Sequence, residues 1–90
     1  MVNSKEFLMA ADIIKKLKTK PTDEELLVLY GYYKQATVGD NNNESPGMFD
    51  FKGKEKHKAW LNNRGMESHD AEVQYITKVN QLITQYGINQ

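Results

Sequence analysis

The sequence predicts an all-α fold, a small bundle of four helices in which one long connection replaces a tight hairpin. Three observations predict it. Apolar residues recur at spacings of three and four in separate stretches. Proline and glycine punctuate the chain between those stretches. No strand pattern, internal repeat or second domain is visible beside them.

The first helix runs from about Lys5 to Leu17, with Phe7, Ala10, Ala11, Ile14 and Leu17 on helical spacing. Asn3 followed by Glu6 is its expected capping box. Lys18-Thr19-Lys20-Pro21 breaks it, since proline disfavours helix in the residue before it. Thr22 followed by Glu25 is a second capping box, and Asp23 and Glu24 suit the positive end of a new helix dipole. That second helix runs to about Val38 and stops at Gly39. From Asp40 to Phe51 the chain reads DNNNESPGMFDF, which is a long loop by its turn formers. Its Met48, Phe49 and Phe51 are unusual for a solvated loop and are expected to pin it onto the helices. A third helix runs from about Lys52 to Asn63, stopped near Gly65. The fourth runs from about Ser68 to Tyr86 and ends at Gly87, with Tyr75, Ile76, Val79, Leu82, Ile83 and Tyr86 as its apolar stripe.

Ninety residues predict one domain, 1–90, with a thin core, since a chain this short buries only about 60–65% of its unfolded surface. No apolar run approaches the ~20 residues of a transmembrane helix, so no stable membrane insertion is expected. The first residues lack the pattern of a signal peptide, and Val2 excludes N-myristoylation. Cysteine is absent, which removes disulfides, zinc thiolates and thiol catalysis and fits a reducing, cytoplasmic setting. A formal charge of zero argues against a nucleic-acid binder, whose footprint is normally basic. It leaves room for a local basic pocket. With no heptad seam, a monomer is the expected state.

The second helix carries the most chemistry. Leu26, Tyr30, Tyr33 and Thr37 fall on one face, with Leu27 and Lys34 alongside. Taken alone, the tyrosines read most simply as core aromatics with surface hydroxyls. Lys34 beside them points to an alternative, an anion-binding pocket next to an aliphatic patch. Such a site suits a ligand with a phosphorylated head and an apolar tail. In the run KGKEKHK, Lys52 and Lys56 share one helical face and Lys54 and Lys58 another. A solvated charged helix is the usual reading. Lys52 and Lys54, however, oppose the dipole at the helix start, a weak pointer to another role. His57 and His69 have no partner at metal-ligand spacing and are read as surface residues. Ser4, Ser45 and Ser68 have no histidine placed to activate them, and no catalytic constellation is visible. Trp60 is a core or interface anchor. Gly31, inside a helix at a cost of about 1 kcal/mol, either permits a ligand or a neighbouring helix to come close or is simply tolerated.

The blocks LKTKP (17–21), LYGYYKQATVGD (29–40), PGMFDFKGKEK (46–56) and QYITKVNQL (74–82) resemble the acyl-CoA-binding protein family, also called diazepam-binding inhibitor, over nearly the whole chain. The resemblance implies an up-down-down-up four-helix bundle that binds long-chain acyl-CoA thioesters one-to-one, without catalysis, as an intracellular carrier and pool former. By position it implies that Tyr30, Lys34 and Lys56 hold the ribose 3'-phosphate. Lys15 would lie near the phosphates and adenine, Tyr33 and Tyr75 against adenine and ribose, and Lys52 close to the head group. Ala11, Leu26, Leu27 and Phe51 would line the acyl groove. No cofactor, metal or nucleic acid is implied. His57 departs from the pattern, standing where many relatives carry Trp. Two rival readings remain: a helical protein-interaction module anchored by Trp60 and the loop aromatics, and a small thioester hydrolase.

Overall fold

Four helices follow one another in the computed structural model, which describes residues 3–89: α1 (Lys5–Ile13), α2 (Asp23–Thr37), α3 (Phe51–Leu61) and α4 (Ser68–Tyr86). The expectation placed on Val2 lies outside those residues. Among the described residues no strand forms, and Leu17 and Ile88 make an isolated antiparallel bridge.

The helix starts follow the chemistry of the orphan amides at each N-terminus. At α2 both arms of the capping box form: Glu25 N donates to Thr22 Oγ1 at 3.2 Å, and Thr22 N to Glu25 Oε1 at 2.9 Å. At α3, Asp50 accepts from Gly53 N at 2.9 Å. At α1 the expected Asn3–Glu6 box does not form. Ser4 caps instead, accepting from Phe7 N at 3.2 Å. The Asn3 amide is taken by distant partners, donating to Ala36 O at 3.1 Å and to Glu72 Oε2 at 2.6 Å. Tertiary contacts therefore override the local cap. The exit of α1 also differs from a simple continuation to Leu17. Ile14–Lys16 tighten into a 3₁₀ turn and Leu17 is extended. There Lys18 N donates to Gly87 O at 3.0 Å and Asn89 N to Lys16 O at 2.8 Å, which ties this exit to the end of α4.

Side-chain pairings fix the directions of the helices. The start of α1 meets the start of α4 through Asn3, Ser4 and Glu72, so these two run parallel. Tyr86 Oη, at the end of α4, donates to Glu25 Oε1 at the start of α2 at 2.7 Å. Ser68 Oγ, at the start of α4, donates to Ala36 O near the end of α2 at 2.6 Å. Thus α2 and α4 are antiparallel. Along α2 and α3, Tyr30 meets Lys56 and Lys34 meets Trp60, in the same order on both. The bundle is up-down-down-up. A parallel α2–α3 pair needs a connection that returns along a 15-residue helix, a span of about 22 Å at 1.5 Å per residue. That is why the loop of residues 38–50 is long.

The apolar core is built by Phe7, Ala10, Leu17, Leu29, Ala36, Ala71, Tyr75, Val79 and Leu82, from α1, α2, α4 and the exit of α1. None of it comes from α3, whose one buried residue is Trp60. Helix α3 is held in other ways. Gly31 lets it come close: a Cβ there would lie 2.5 Å from Ala59 O and 2.9 Å from Asn63 Nδ2. Of the alternatives open for Gly31, close approach of a neighbouring helix is the one present. Trp60 Nε1 donates to Gly39 O at 2.7 Å. Buried Asn41 donates to His57 O at 3.0 Å, and its own Oδ1 accepts from Asn43 N at 3.0 Å. Gln35 donates to Asp40 Oδ1 and to Met66 O, and Gly65 N donates to the same Asp40 oxygen.

The loop aromatics are the clearest correction. Met48, Phe49 and Phe51 do not pin the loop; all three stand exposed. Buried polar groups, Asn41 above all, do that work through hydrogen bonds. His57 is also less free than expected. It is half-buried, its Nε2 lies 3.0 Å from Asn43 O, and since a carbonyl can only accept, that nitrogen carries the proton. Trp60 is buried and is not exposed as an interface anchor.

Candidate ligand groove between the second and third helices

Helices α2 and α3 run parallel and approach closely at Gly31, and a groove lies on each side of their seam. The described residues form a slab 40 × 31 × 15 Å, so these are surface grooves rather than enclosed cavities.

One groove, about 480 Å³, sets Leu26, Leu27 and Tyr30 of α2 against Phe51, Lys52, Glu55 and Lys56 of α3, with Lys20 and Asp23 at its edge. Both helices contribute residues three and four apart, which share a face. Lys56 Nζ lies 5.4 Å from the Tyr30 ring centroid, a cation–π contact worth about 0.5–1 kcal/mol at an exposed site. Leu26 and Tyr30 also border a smaller hollow of about 170 Å³ with Ile14, Leu29, Tyr33 and Tyr75. The two spaces therefore share Leu26 and Tyr30 as a common border.

Phe7 underlies the hollow. It is fully buried, and its ring centroid is 5.6 Å from Tyr33 in a stacked arrangement and 5.0 Å from Tyr75 in a tilted one. The rings of Tyr33 and Tyr75 are 5.9 Å apart. Tyr33 is 41% exposed and offers a free ring edge and hydroxyl, whereas Tyr75 is 5% exposed and forms the floor. Burial, helped by the nearby Tyr33, pushes the Tyr75 hydroxyl up to about 12, so it is a neutral donor at physiological pH.

On the other side of the seam a groove of about 400 Å³ is bordered by Glu24, Val28, Tyr32, Lys58, Asn62 and Asn63 as well as the shared Leu27 and Glu55. Two carboxylates face one lysine there, so it does not suit an anion. The first groove has Lys20, Lys52 and Lys56 against Asp23 and Glu55, with the tyrosine hydroxyls added. It combines a basic aromatic end with an aliphatic wall.

The structure brings Tyr30, Lys52, Lys56, Leu26, Leu27 and Phe51 to one groove and Tyr33 and Tyr75 to the adjoining hollow. It does not bring every expected residue there. Lys34, one turn beyond Tyr30, places Nζ 5.0 Å from the Trp60 ring centroid and lines neither space. Lys15 is exposed on the 3₁₀ turn beside Ile14. Ala11 packs against the core and lines neither space. Sequence reasoning missed Lys20, Asp23, Glu55, Ile14 and Leu29. Lys20 was findable, since it immediately precedes the break that begins α2. Among the described residues no group of three His, Asp or Glu side chains is placed to hold a metal ion. Among the described residues no serine or histidine lines the groove.

The fold and site define a small all-α protein whose surface groove joins basic, aromatic and aliphatic side chains. Comparison with known proteins identifies which kind. The acyl CoA binding protein family model matches residues 4–79, and the chain belongs to that family. It is 50% identical over 78 residues to acyl-CoA-binding protein homolog 1 of Caenorhabditis elegans, covering 87% of this chain and 91% of that protein. Among solved structures it is similar to acyl-CoA-binding protein 2 of Oryza sativa, with a TM-score of 0.85, 41% identity and 90% of each chain covered. The yeast acyl coenzyme A binding protein superposes with a TM-score of 0.75 at 48% identity, over 94% of this chain and 99% of that one.

Proposed function

We propose that the protein binds long-chain fatty acyl-CoA thioesters one-to-one and acts as an intracellular carrier and pool former, without catalysing a reaction on them. The observation that carries this reading is the groove itself. Leu26, Leu27 and Phe51 form its aliphatic wall, Lys20, Lys52, Lys56 and Tyr30 its polar lining, and Tyr33 and Tyr75 lie in the hollow next to it. Family membership supports the ligand class. Since α1, α2, α3 and α4 all border the site or support it, we treat residues 1–90 as one acyl-CoA-binding unit.

In this reading Tyr30, Lys34 and Lys56 hold the ribose 3'-phosphate, Lys15 lies near the phosphates and adenine, Lys52 lies close to the head group, and Tyr33 and Tyr75 pack on adenine and ribose. Leu26, Leu27 and Phe51 take the acyl chain, whereas Ala11 packs against the core and lines neither space. Lys34 must leave Trp60 to reach a phosphate. The exchange is favourable, because a charge-assisted hydrogen bond to phosphate exceeds an exposed cation–π contact of about 0.5–1 kcal/mol.

The energetics require both ends of the ligand. Coenzyme A carries roughly four negative charges, counting about two on its phosphate monoester. A chain of about 15 methylenes offers ~12 kcal/mol at ~0.8 kcal/mol each. Association and chain ordering consume much of that. Nanomolar affinity, about −12 kcal/mol, thus needs head and tail bound together.

Calorimetric titration with palmitoyl-CoA tests the reading, run on wild type and Lys34→Ala with palmitate and free coenzyme A as controls. Tight binding at one site, weakened at least about tenfold (1.4 kcal/mol) by the substitution, is the expected result. Equal affinity for palmitate and palmitoyl-CoA would overturn it. Steady release of free thiol from palmitoyl-CoA during incubation would instead favour an enzyme.

A further inference from the structure

The ligand groove and the groove on the other side of the α2–α3 seam share two lining residues, Leu27 of α2 and Glu55 of α3. The ridge between the grooves is therefore half aliphatic and half acidic. Glu55 stands one turn beyond Phe51 on the same face of α3, so it continues the wall that Leu26, Leu27 and Phe51 begin. Past the ridge the acidity grows, because Glu24 joins Glu55 on the border of the second groove.

Neither anion binding nor helix stability accounts for a carboxylate at this point. A phosphorylated ligand gains nothing from it. Glu55 also lies beyond the first turn of α3, where the helix dipole would favour an acid. Pairs with Lys52 or Lys58, three residues away on either side, are solvated and contribute little to the helix. What the carboxylate does affect is an apolar chain lying on Leu27. Glu55 is exposed in the empty groove, so its charge is hydrated before a chain arrives. A chain that covers the ridge takes part of that water away and returns no hydrogen-bond donor, which opposes binding. Methylenes on Leu26 and Phe51 bury apolar surface with the ordinary gain, and those that reach the ridge gain less.

We propose that Glu55 sets the chain-length selectivity of the groove: it makes the Leu27–Glu55 ridge an end stop, beyond which further methylenes add little affinity. The end stop rests on the acyl-CoA reading, since it acts on a chain already anchored by its phosphorylated head. It assigns the discrimination to the far part of the acyl chain and to one side chain of α3.

Calorimetric titration of wild type, Glu55→Leu and Glu55→Gln with free coenzyme A and with acetyl-, octanoyl-, lauroyl- and palmitoyl-CoA tests it. Leucine extends the apolar wall, whereas glutamine keeps the shape and removes the charge. The position is exposed, so both variants should keep the circular dichroism of the wild type. The affinity difference between Glu55→Leu and wild type is expected to open with chain length and to reach about fivefold or more in favour of the variant with palmitoyl-CoA. Glu55→Gln should fall between them. Free coenzyme A and acetyl-CoA should bind all three proteins within about twofold at ordinary ionic strength, where exposed charges are screened. A gain of the same size for free coenzyme A would overturn the end stop and leave Glu55 as a charge that repels phosphates. Equal palmitoyl-CoA affinity in wild type and Glu55→Leu would overturn it too, as would a loss confined to the long chains. In those cases tight wild-type binding of palmitoyl-CoA would leave the carrier reading standing. A wild type that binds no acyl-CoA would remove the carrier reading and the end stop together.

Discussion

The two halves of this molecule are held together by opposite means. Helices α1, α2 and α4 close over an apolar core with Phe7, Val79 and Leu82 at its centre. Helix α3 and the loop before it add nothing to that core. They are held by a glycine-permitted backbone approach, an indole hydrogen bond and two buried amides, Gln35 and Asn41. In the loop the usual rule is inverted: Asn41 is 2% exposed and Phe49 faces solvent. The lesson is functional. The apolar half carries the tyrosine floor, and the polar half supplies the lysine wall, so the groove runs along the seam between a body closed over an apolar core and one tied on by polar contacts.

The largest effect should come from breaking the apolar half. Phe7→Ala removes a fully buried ring that also supports Tyr33 and Tyr75 and should cost about 3–5 kcal/mol. Urea denaturation would measure it, and a loss under about 1 kcal/mol would mean that the core is not centred where it is placed here. Next comes the seam. Gly31→Ala gains about 1 kcal/mol of helix propensity but drives a methyl onto the Ala59 carbonyl, a backbone atom that cannot swing aside. A net destabilisation of about 1–3 kcal/mol is expected. A stabilised variant would show that α3 yields more easily than backbone contact allows.

How much of this was legible follows the same division. The core half repeats apolar residues at helical spacing, and Phe7, Ala10, Leu17, Val79 and Leu82 were identifiable from that period alone. Its caps were legible where both partners are local, as at Thr22 and Glu25, and not where a distant carboxylate captures the candidate, as Glu72 does Asn3. The polar half has no periodic signal. Nothing in the run Asn41-Asn42-Asn43 tells which side chain will be buried, because that depends on where His57 O arrives. The exposure of Met48 and Phe49 is likewise decided by a turn closed between Gly47 and Asp50, not by their hydrophobicity. For the groove, helical spacing put Tyr30 and Leu26 on one face. Their pairing with Lys56 and Phe51 needed the parallel direction of α3, which the family resemblance implied and which spacing could not.

A smaller effect, and a local one, is expected at the loop. Asn41→Ala removes the hydrogen bond to His57 O and the one from Asn43 N, at about 1–2 kcal/mol in total. Hydrogen exchange should then quicken across the loop and the middle of α3 while α4 stays protected. Uniform acceleration in all four helices would mean that the two halves open as one unit and that the division drawn above does not hold energetically.

The smallest effect probes the polar tie between the starts of α1 and α4. Burial alone would raise the Glu72 carboxyl, but hydrogen bonds from the Asn3 amide and Ser4 N–H outweigh it and hold the group below the ordinary carboxylate value. A depressed carboxyl means that the folded state favours the ionised form. Its contribution is fully present above the unfolded value and is lost as pH falls through the lower folded one. Glu72→Gln should therefore flatten the acid limb of stability, measured as urea midpoints from neutral pH down through the carboxylate range. Glu25 and Asp40, also held low by hydrogen bonds, remain in both proteins, so the difference between the two curves isolates Glu72. If the curves run parallel, the tie between the starts of α1 and α4 does not depend on charge, and the core alone sets the acid stability of that half.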